Sequence, residues 1–236
     1  MATITDLHLQ RNSVDMNSVM KKTEVLIEAL PYMQKLYGKT VVIKYGSKAM
    51  VNETLKNTVM DDIILLKNIG VNPVVVLEKS KKEIISLMHK KGGKVAGLEC
   101  IDGDFTVLNM IARDEYIPVL SYHSDTAAAE IAASLQAEKL IFITDVDGVK
   151  LSEDDSAPVK VLTSEQAHKL IEEEIISEGM TTKVLACISA IDAGIRRAHI
   201  INGRIPHCIL MEMFTYKGIG TMILKELVPY FEAEKI

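Results

Sequence analysis

The sequence predicts an α/β fold with a mainly parallel open sheet and helices on both of its faces. Two observations carry this. Short runs dense in β-branched residues, TVVIKYG (40–46), NPVVVL (72–77) and KLIFITDV (139–146), are apolar along nearly their whole length. Such strands belong inside a sheet that is covered on both sides. Between them lie longer stretches whose apolar residues recur at helical spacing, and strand–helix alternation of this kind makes a sheet parallel.

In chain order, residues 1–20 are polar and mixed and read as a flexible N-terminus, and 21–236 read as one domain. From Met20 to Leu36 a helical pattern runs through Val25, Leu26, Ala29, Leu30 and Met33. Pro31 should kink or break it, and Gly38 should end it. Residues 52–69 carry Leu55, Val59, Ile63 and Leu66 at helical spacing, closed by Gly70. Residues 80–91 form a basic amphipathic helix stopped by Gly92 and Gly93. KVAGLEC (94–100) and IPVLSY (117–122) read as strands, and 126–136 as an Ala-rich helix with Ser124 or Asp125 as its N-cap. Thr163 and Gln166 make a capping-box pattern before a helix at about 164–175. Residues 180–195 read as helix, and AHII (198–201) and HCILMEMF (207–214) as strands.

Composition narrows the function. The chain has 236 residues, 48% of them apolar and 25% charged, which suits a folded domain rather than a disordered one. A net charge of −5 argues against a general affinity for nucleic acid or anionic membrane. With no Trp and 5% aromatics there is no stacking platform for single strands. No apolar run is long enough to span a bilayer, and the N-terminus lacks a secretory pattern. Cys100, Cys187 and Cys208 are scattered and odd in number, so they read as reduced thiols in a cytoplasmic protein. No residues are assigned to a metal.

In parallel sheets ligands bind beyond the carboxyl ends of the strands. Lys44 lies within an apolar strand that runs into Gly46. A lysine there either has anionic company, such as phosphoryl oxygens, or snorkels to water. Asp125 follows the strand at 117–122 and either organises a lysine or caps the helix. Thr144, Asp145, Asp147 and Gly148 end the strand at 139–146, where a nucleotide contact or a plain tight turn would use the same residues. Gly179, Met180 and Lys183 open a helix, where a lysine in the first turn opposes the helix dipole unless an anion is near. Together, two lysines, two acidic strand ends and two glycine turns are equipment for phosphoryl transfer, which depends on positioning and charge neutralisation. The pattern is not that of a P-loop protein or a protein kinase, because GxxxxGK[ST], HRD and DFG are all missing.

Longer stretches carry a resemblance. VVIKYG, LLKNIGVNPVVV, KKGGKVAGL, SDTAAAEIAASLQAEKLIFITDVDGV, GMTTKVLAC and RRAHIINGRIPHCILMEMFTYKGIGTMI closely resemble the acetylglutamate kinases of the amino acid kinase family, over most of 22–224. The resemblance implies a three-layer αβα sandwich and phosphorylation of the γ-carboxylate of N-acetyl-glutamate by ATP with Mg²⁺, in arginine biosynthesis. It implies an acceptor-side lobe at about 40–125 and a nucleotide-side lobe at about 126–236. By it, Lys44 and Lys183 are the lysines on the phosphates and Asp125 orients both. Gly46, Thr144, Asp145, Gly148, Gly179 and Met180 are nucleotide-side positions. The N-terminal helix, with His199, Glu212 and Gly218, resembles the arginine-inhibited branch, which implies an arginine effector and a homo-oligomer, dimer or hexamer.

The sequence also departs from the family. Where the family has KYGGNAM, this chain has Ser47 and Lys48; where the family has HGGGP, it has Leu77-Glu78-Lys79-Ser80. The step from Ile85-Ser86-Leu87 to KKGG implies a deletion of several dozen residues, including the substrate-gripping arginine, and a second shortening lies between Gly103 and Ile117. The family's NxNAD becomes Ser121-Tyr122-His123-Ser124-Asp125, leaving Ser47, Ser121 and His123 as candidate acceptor contacts. Two readings stay open: an active kinase, or a paralogue that binds nucleotide or arginine as a regulatory module.

Overall fold

The structure is a computed structural model and describes residues 15–50, 52–98, 106–152, 154–215 and 218–229. Cys100 and most of the polar N-terminal stretch lie outside the described residues. Helix α1 (Met16–Leu36) leads into β1 (Thr40–Tyr45). A 3₁₀ turn (Ser47–Met50), α2 (Glu53–Asn68), β2 (Asn72–Leu77), α3 (Lys81–Lys90) and β3 (Val95–Gly97) follow. Then come α4 (Thr106–Arg113), β4 (Ile117–Ser121), α5 (Asp125–Ser134) and β5 (Lys139–Thr144). The chain continues through β6 (Val161–Thr163), α6 (Ser164–Glu172), α7 (Glu178–Asp192), β7 (Arg197–Asn202), α8 (Cys208–Phe214) and β8 (Thr221–Leu224).

The eight strands form one sheet in the order β3-β4-β2-β1-β5-β7-β8-β6. Every neighbouring pair is parallel except β7 and β8. Pleating sends alternate residues of each strand to opposite faces. Val42, Val74, Val76, Leu140 and Phe142 pack with α4, α5, α6 and α7. Val41, Ile43, Tyr45, Val75, Leu77, Ile141 and Ile143 pack with α1, α2, α3 and α8. This is the expected three-layer sandwich. Lys44 shares the parity of Val42, so it points to the face that carries α5 and α7.

Three expectations are corrected. HCILMEMF is not a strand: Cys208–Phe214 is the helix α8, entered through His207 at φ +55. It buries Cys208, Ile209, Glu212, Met213 and Phe214, and a short run this apolar has no period to separate helix from strand. Pro31 does not break α1, which starts at Met16 and runs through it to Leu36. Helix α7 starts at Glu178, so Gly179 and Met180 are in its first turn and Lys183 falls in its second.

Candidate active site

The site assembles at the carboxyl ends of β1, β4, β5 and β7, from side chains far apart in sequence. Lys44 is 1% exposed, with Val76 and Phe142 as its register partners on the flanking strands. Its Nζ donates to the carbonyl oxygen of Tyr122, just past β4. Burial holds its ammonium below the usual lysine value, with Lys183 adding to this, while the carboxylates of Glu78 and Asp125 oppose it. A cation that pays desolvation and stays within reach of two carboxylates is poised to take an added anion.

Ser124 settles the choice of cap for α5: its hydroxyl accepts the Ala127 N–H at 3.0 Å. That frees the Asp125 carboxylate, which accepts from Lys183 Nζ at 3.0 Å. Both side chains are mostly buried, so this ion pair is screened less than one on the surface. It ties α5 to α7 on the face of the sheet that Lys44 also faces.

On the far side, β5 and β7 open into a cavity of about 410 Å³. Asp145, Asp147 and Arg204 line its polar wall, and Ile175, Ile176 and Met180 its apolar wall. Thr144 is buried at the end of β5, with its hydroxyl on the neighbouring Asp145 carboxylate at 3.3 Å. Gly148 takes φ +139, and a Cβ there would stand 2.5 Å from the Thr221 hydroxyl oxygen. That same oxygen accepts the Val149 N–H at 2.8 Å, so the turn needs glycine to close. Among the described residues, the helix's own backbone aside, no heavy atom lies within 4 Å of the Cβ position at Gly179, so the first turn of α7 has an open face. Met180 and Lys183, three residues apart, share one face of α7 and link the cavity to the Asp125 pair. Gly46 plays a different part: its N–H bonds the Ile143 carbonyl at 3.0 Å and locks the end of β1 to β5.

Sequence reasoning missed several members. Asn202 donates to Asp147 at 2.7 Å and accepts the Arg204 N–H at 2.9 Å, which brings Arg204 within 3.6 Å of Asp145. Their signal is the Asn-Gly-Arg turn that follows β7. The Tyr122 carbonyl is a backbone atom and leaves no trace in residue type.

The candidate acceptor residues separate. Ser47 is drawn in: its N–H donates to Glu78 Oε2 at 3.0 Å, and its hydroxyl donates to the same oxygen. Ser121 is half-buried at the end of β4, and His123 is exposed beside the site. Of the lysines near the lost glycine loop, Lys48, Lys79 and Lys82 are exposed and Lys81 donates to the Leu98 carbonyl at 2.7 Å. Ser80 takes φ +62 without a capping hydrogen bond, a left-handed conformation that glycine adopts without penalty.

The candidate effector residues do come together, on the face of the sheet opposite Lys44. His199 Nδ1 donates to Glu212 Oε1 at 2.7 Å, and its Nε2 accepts from Lys139 at 3.1 Å. Glu212 Oε2 accepts the N–H groups of Ile219 at 2.6 Å and Gly220 at 3.1 Å. Gly218, at φ +53, packs so closely that a Cβ would sit 2.9 Å from Glu212 Oε2.

Comparison with known proteins gives the family. The amino acid kinase family matches residues 86–202. The acetylglutamate kinase of Caldicellulosiruptor bescii is 42% identical, over 89% of this chain and 98% of its own. That of Methanococcus vannielii is 34% identical, over 87% and 99%. The chain belongs to the amino acid kinase family. Its relatives named acetylglutamate kinase place it in that branch. The alignment to the C. bescii enzyme runs over 288 positions while drawing on 89% of a 236-residue chain, so several dozen positions of that relative have no counterpart here. Among solved structures, an N-acetylglutamate synthase from Neisseria gonorrhoeae, complexed with coenzyme A and N-acetyl-glutamate, has the same fold. It superposes at TM-score 0.76 with 21% identity, over 87% of this chain and 64% of that one.

Proposed function

We propose that the chain transfers the γ-phosphoryl group of ATP to the γ-carboxylate of N-acetyl-L-glutamate, as a cytoplasmic step of arginine biosynthesis. The observation that carries this is the meeting of Lys44 with the Asp125–Lys183 pair one helical turn from the cavity beyond β5 and β7.

The residues present fit a nucleotide. The apolar wall of Ile175, Ile176 and Met180 suits a base, and the open first turn of α7 and the two lysines suit phosphates. Among the described residues no group of three acidic, His or Cys side chains could hold a metal ion. Magnesium would arrive on the nucleotide phosphates, where it would neutralise their charge. Lys44 and Lys183 hold the transferring oxygens from two sides. Asp125 bonds Lys183 and acts on Lys44 through its charge, while the Tyr122 carbonyl holds the Lys44 ammonium where charge builds on the leaving oxygen. A carboxylate acceptor is already ionised at neutral pH, so the reaction needs no general base. The lobe at 40–125 would present the acceptor and that at 126–236 the nucleotide.

Further features support the rest of the reading. His199, Glu212 and Gly218 form a buried polar cluster suited to an arginine effector region. Helix α1 exposes Met16, Met20, Val25, Leu26 and Ile27, an apolar surface suited to a homo-oligomer, dimer or hexamer. Cys187 and Cys208 are buried free thiols, and burial pushes Cys208 up to about 12, as in unreactive cysteines of a reducing compartment. No helix among the described residues is long and apolar enough to cross a membrane.

Thermal melting with MgATP, acetylglutamate and arginine added separately tests this, because a ligand bound only by the folded chain raises the midpoint. The proposal expects MgATP to raise it and acetylglutamate to raise it further. Stabilisation by nucleotide or arginine with no response to acetylglutamate would leave only a binding module.

A further inference from the structure

Two of the changes that distinguish this chain from its family at the acceptor end are bonded to each other. Ser47 replaces a glycine after β1 and Glu78 stands at the start of the lost glycine loop after β2. They are 31 residues apart, and one carboxylate oxygen of Glu78 takes both the N–H and the hydroxyl of Ser47. The carboxylate also lies within the field of Lys44 and Lys183.

Position in the sheet gives this contact a meaning. The strands run β2-β1-β5-β7, with the cavity beyond β5 and β7 and Lys44 on β1. Adjacent strands are about 4.8 Å apart. Phosphoryl transfer needs entering and leaving oxygens on opposite sides of phosphorus. With the nucleotide beyond β5, the acceptor carboxylate belongs beyond β1 and β2. There the Ser47 N–H and hydroxyl are donors, and Glu78 holds both. An acid in that place also sets two carboxylates, Asp125 and itself, against the two lysines.

We propose that Glu78 is the specificity-determining residue of the acceptor end: its carboxylate occupies, on Ser47, the position of the acceptor's own carboxylate, and the acceptor enters only by displacing it. This rests on the proposed function, because it takes the acceptor to be a carboxylate. Glu78 belongs to the three-residue connection between β2 and α3, so the exchange needs rotation of one side chain and no movement of the sheet. Burial disfavours charge on Glu78, but the Ser47 donors and then the two ammonium groups outweigh it and hold the carboxyl below its usual range. The competitor is therefore an anion throughout the neutral range.

The test is calorimetric titration of N-acetylglutamate, and of its γ-amide N-acetylglutamine, into the chain saturated with magnesium and a non-hydrolysable ATP analogue. Wild type, Glu78→Gln and Ser47→Gly are compared, with turnover of acetylglutamate assayed in parallel. Glu78→Gln should bind acetylglutamate about tenfold more tightly, which is about 1.4 kcal/mol, with no such gain for the γ-amide. Ser47→Gly, which removes the same hydroxyl from Glu78 and from the entering acceptor, should change affinity less than Glu78→Gln. Unchanged or weaker acetylglutamate binding in Glu78→Gln, or an equal gain for the γ-amide, overturns the inference. Tighter binding without turnover in any form keeps the inference and removes the proposed function. Turnover in wild type with no gain in the variant does the reverse. Binding to none of the three forms removes both.

Discussion

The Asp125 carboxylate and the Lys183 ammonium, 58 residues apart in the chain, stand 3.0 Å apart and join α5 to α7 beside the buried Lys44. The contact exists because Ser124, not Asp125, caps α5. One residue of offset separates a helix cap from a lysine-orienting acid, and the charges of the site follow from it.

Arg204 should matter for nucleotide and little for folding. Its side chain is 62% exposed and 3.6 Å from Asp145, and such a pair adds little stability. Arg204→Ala should keep the melting temperature within about 2 °C and raise the KM for MgATP several-fold, read from initial rates at saturating acceptor. An unchanged KM would place Arg204 outside the nucleotide contacts.

Asp62 is fully buried in α2, its Oδ1 2.6 Å from His207 Nδ1. Burial pushes its carboxyl above the usual range, with the His207 contact opposing. His207→Ala should cost about 1–2 kcal/mol by urea unfolding, toward the low end for a buried polar group because His207 is half exposed. The sign with pH follows from the raised value. The folded state keeps this proton longer than the unfolded chain, so stability falls as pH rises from the ordinary carboxylate range to Asp62's own. The loss in His207→Ala should therefore be smaller at about pH 5 than at about pH 7.

The His199–Glu212 cluster should make the protein sensitive to acid. Burial, helped by Lys139, lowers His199 to about 4. Burial raises Glu212, but His199 and the Ile219 and Gly220 amides outweigh it and hold the carboxyl at about 2. Between pH 6.5 and about 4 an unfolded histidine takes a proton that His199 refuses, so stability falls with pH across that window. Below the ordinary glutamate value Glu212 adds a second loss in the same direction. Urea midpoints followed from neutral to acid pH should fall in wild type, and the His199→Gln variant should have a shallower slope. Equal slopes would remove His199 as the source.

Much of the scaffold was legible because its signals are local. β1, β2 and β5 announce themselves by unbroken β-branched runs, and Thr163 with Gln166 forms the capping box that the sequence spells. Lys44, Asp125 and Lys183 were legible as charges at strand and helix ends. The identity of the cap, the Tyr122 carbonyl and the Ser47–Glu78 contact were not, because register between distant segments decides them. α8 was misread because seven apolar residues fill a buried helix and a buried strand equally well. β6 and β8, three and four residues long, are not among the strands read from the sequence.

Formation of acetylglutamyl phosphate, trapped with hydroxylamine, in wild type, Lys44→Met and Asp125→Asn at saturating MgATP and N-acetylglutamate tests the central claim most directly. Wild type should form the acyl phosphate. Lys44→Met should lose at least about 10²-fold in kcat with a urea midpoint no lower than wild type, because a buried ammonium is replaced by an apolar chain of similar length. Asp125→Asn should lose activity while staying folded. No acyl phosphate from wild type, or full activity in folded Lys44→Met, would contradict the account.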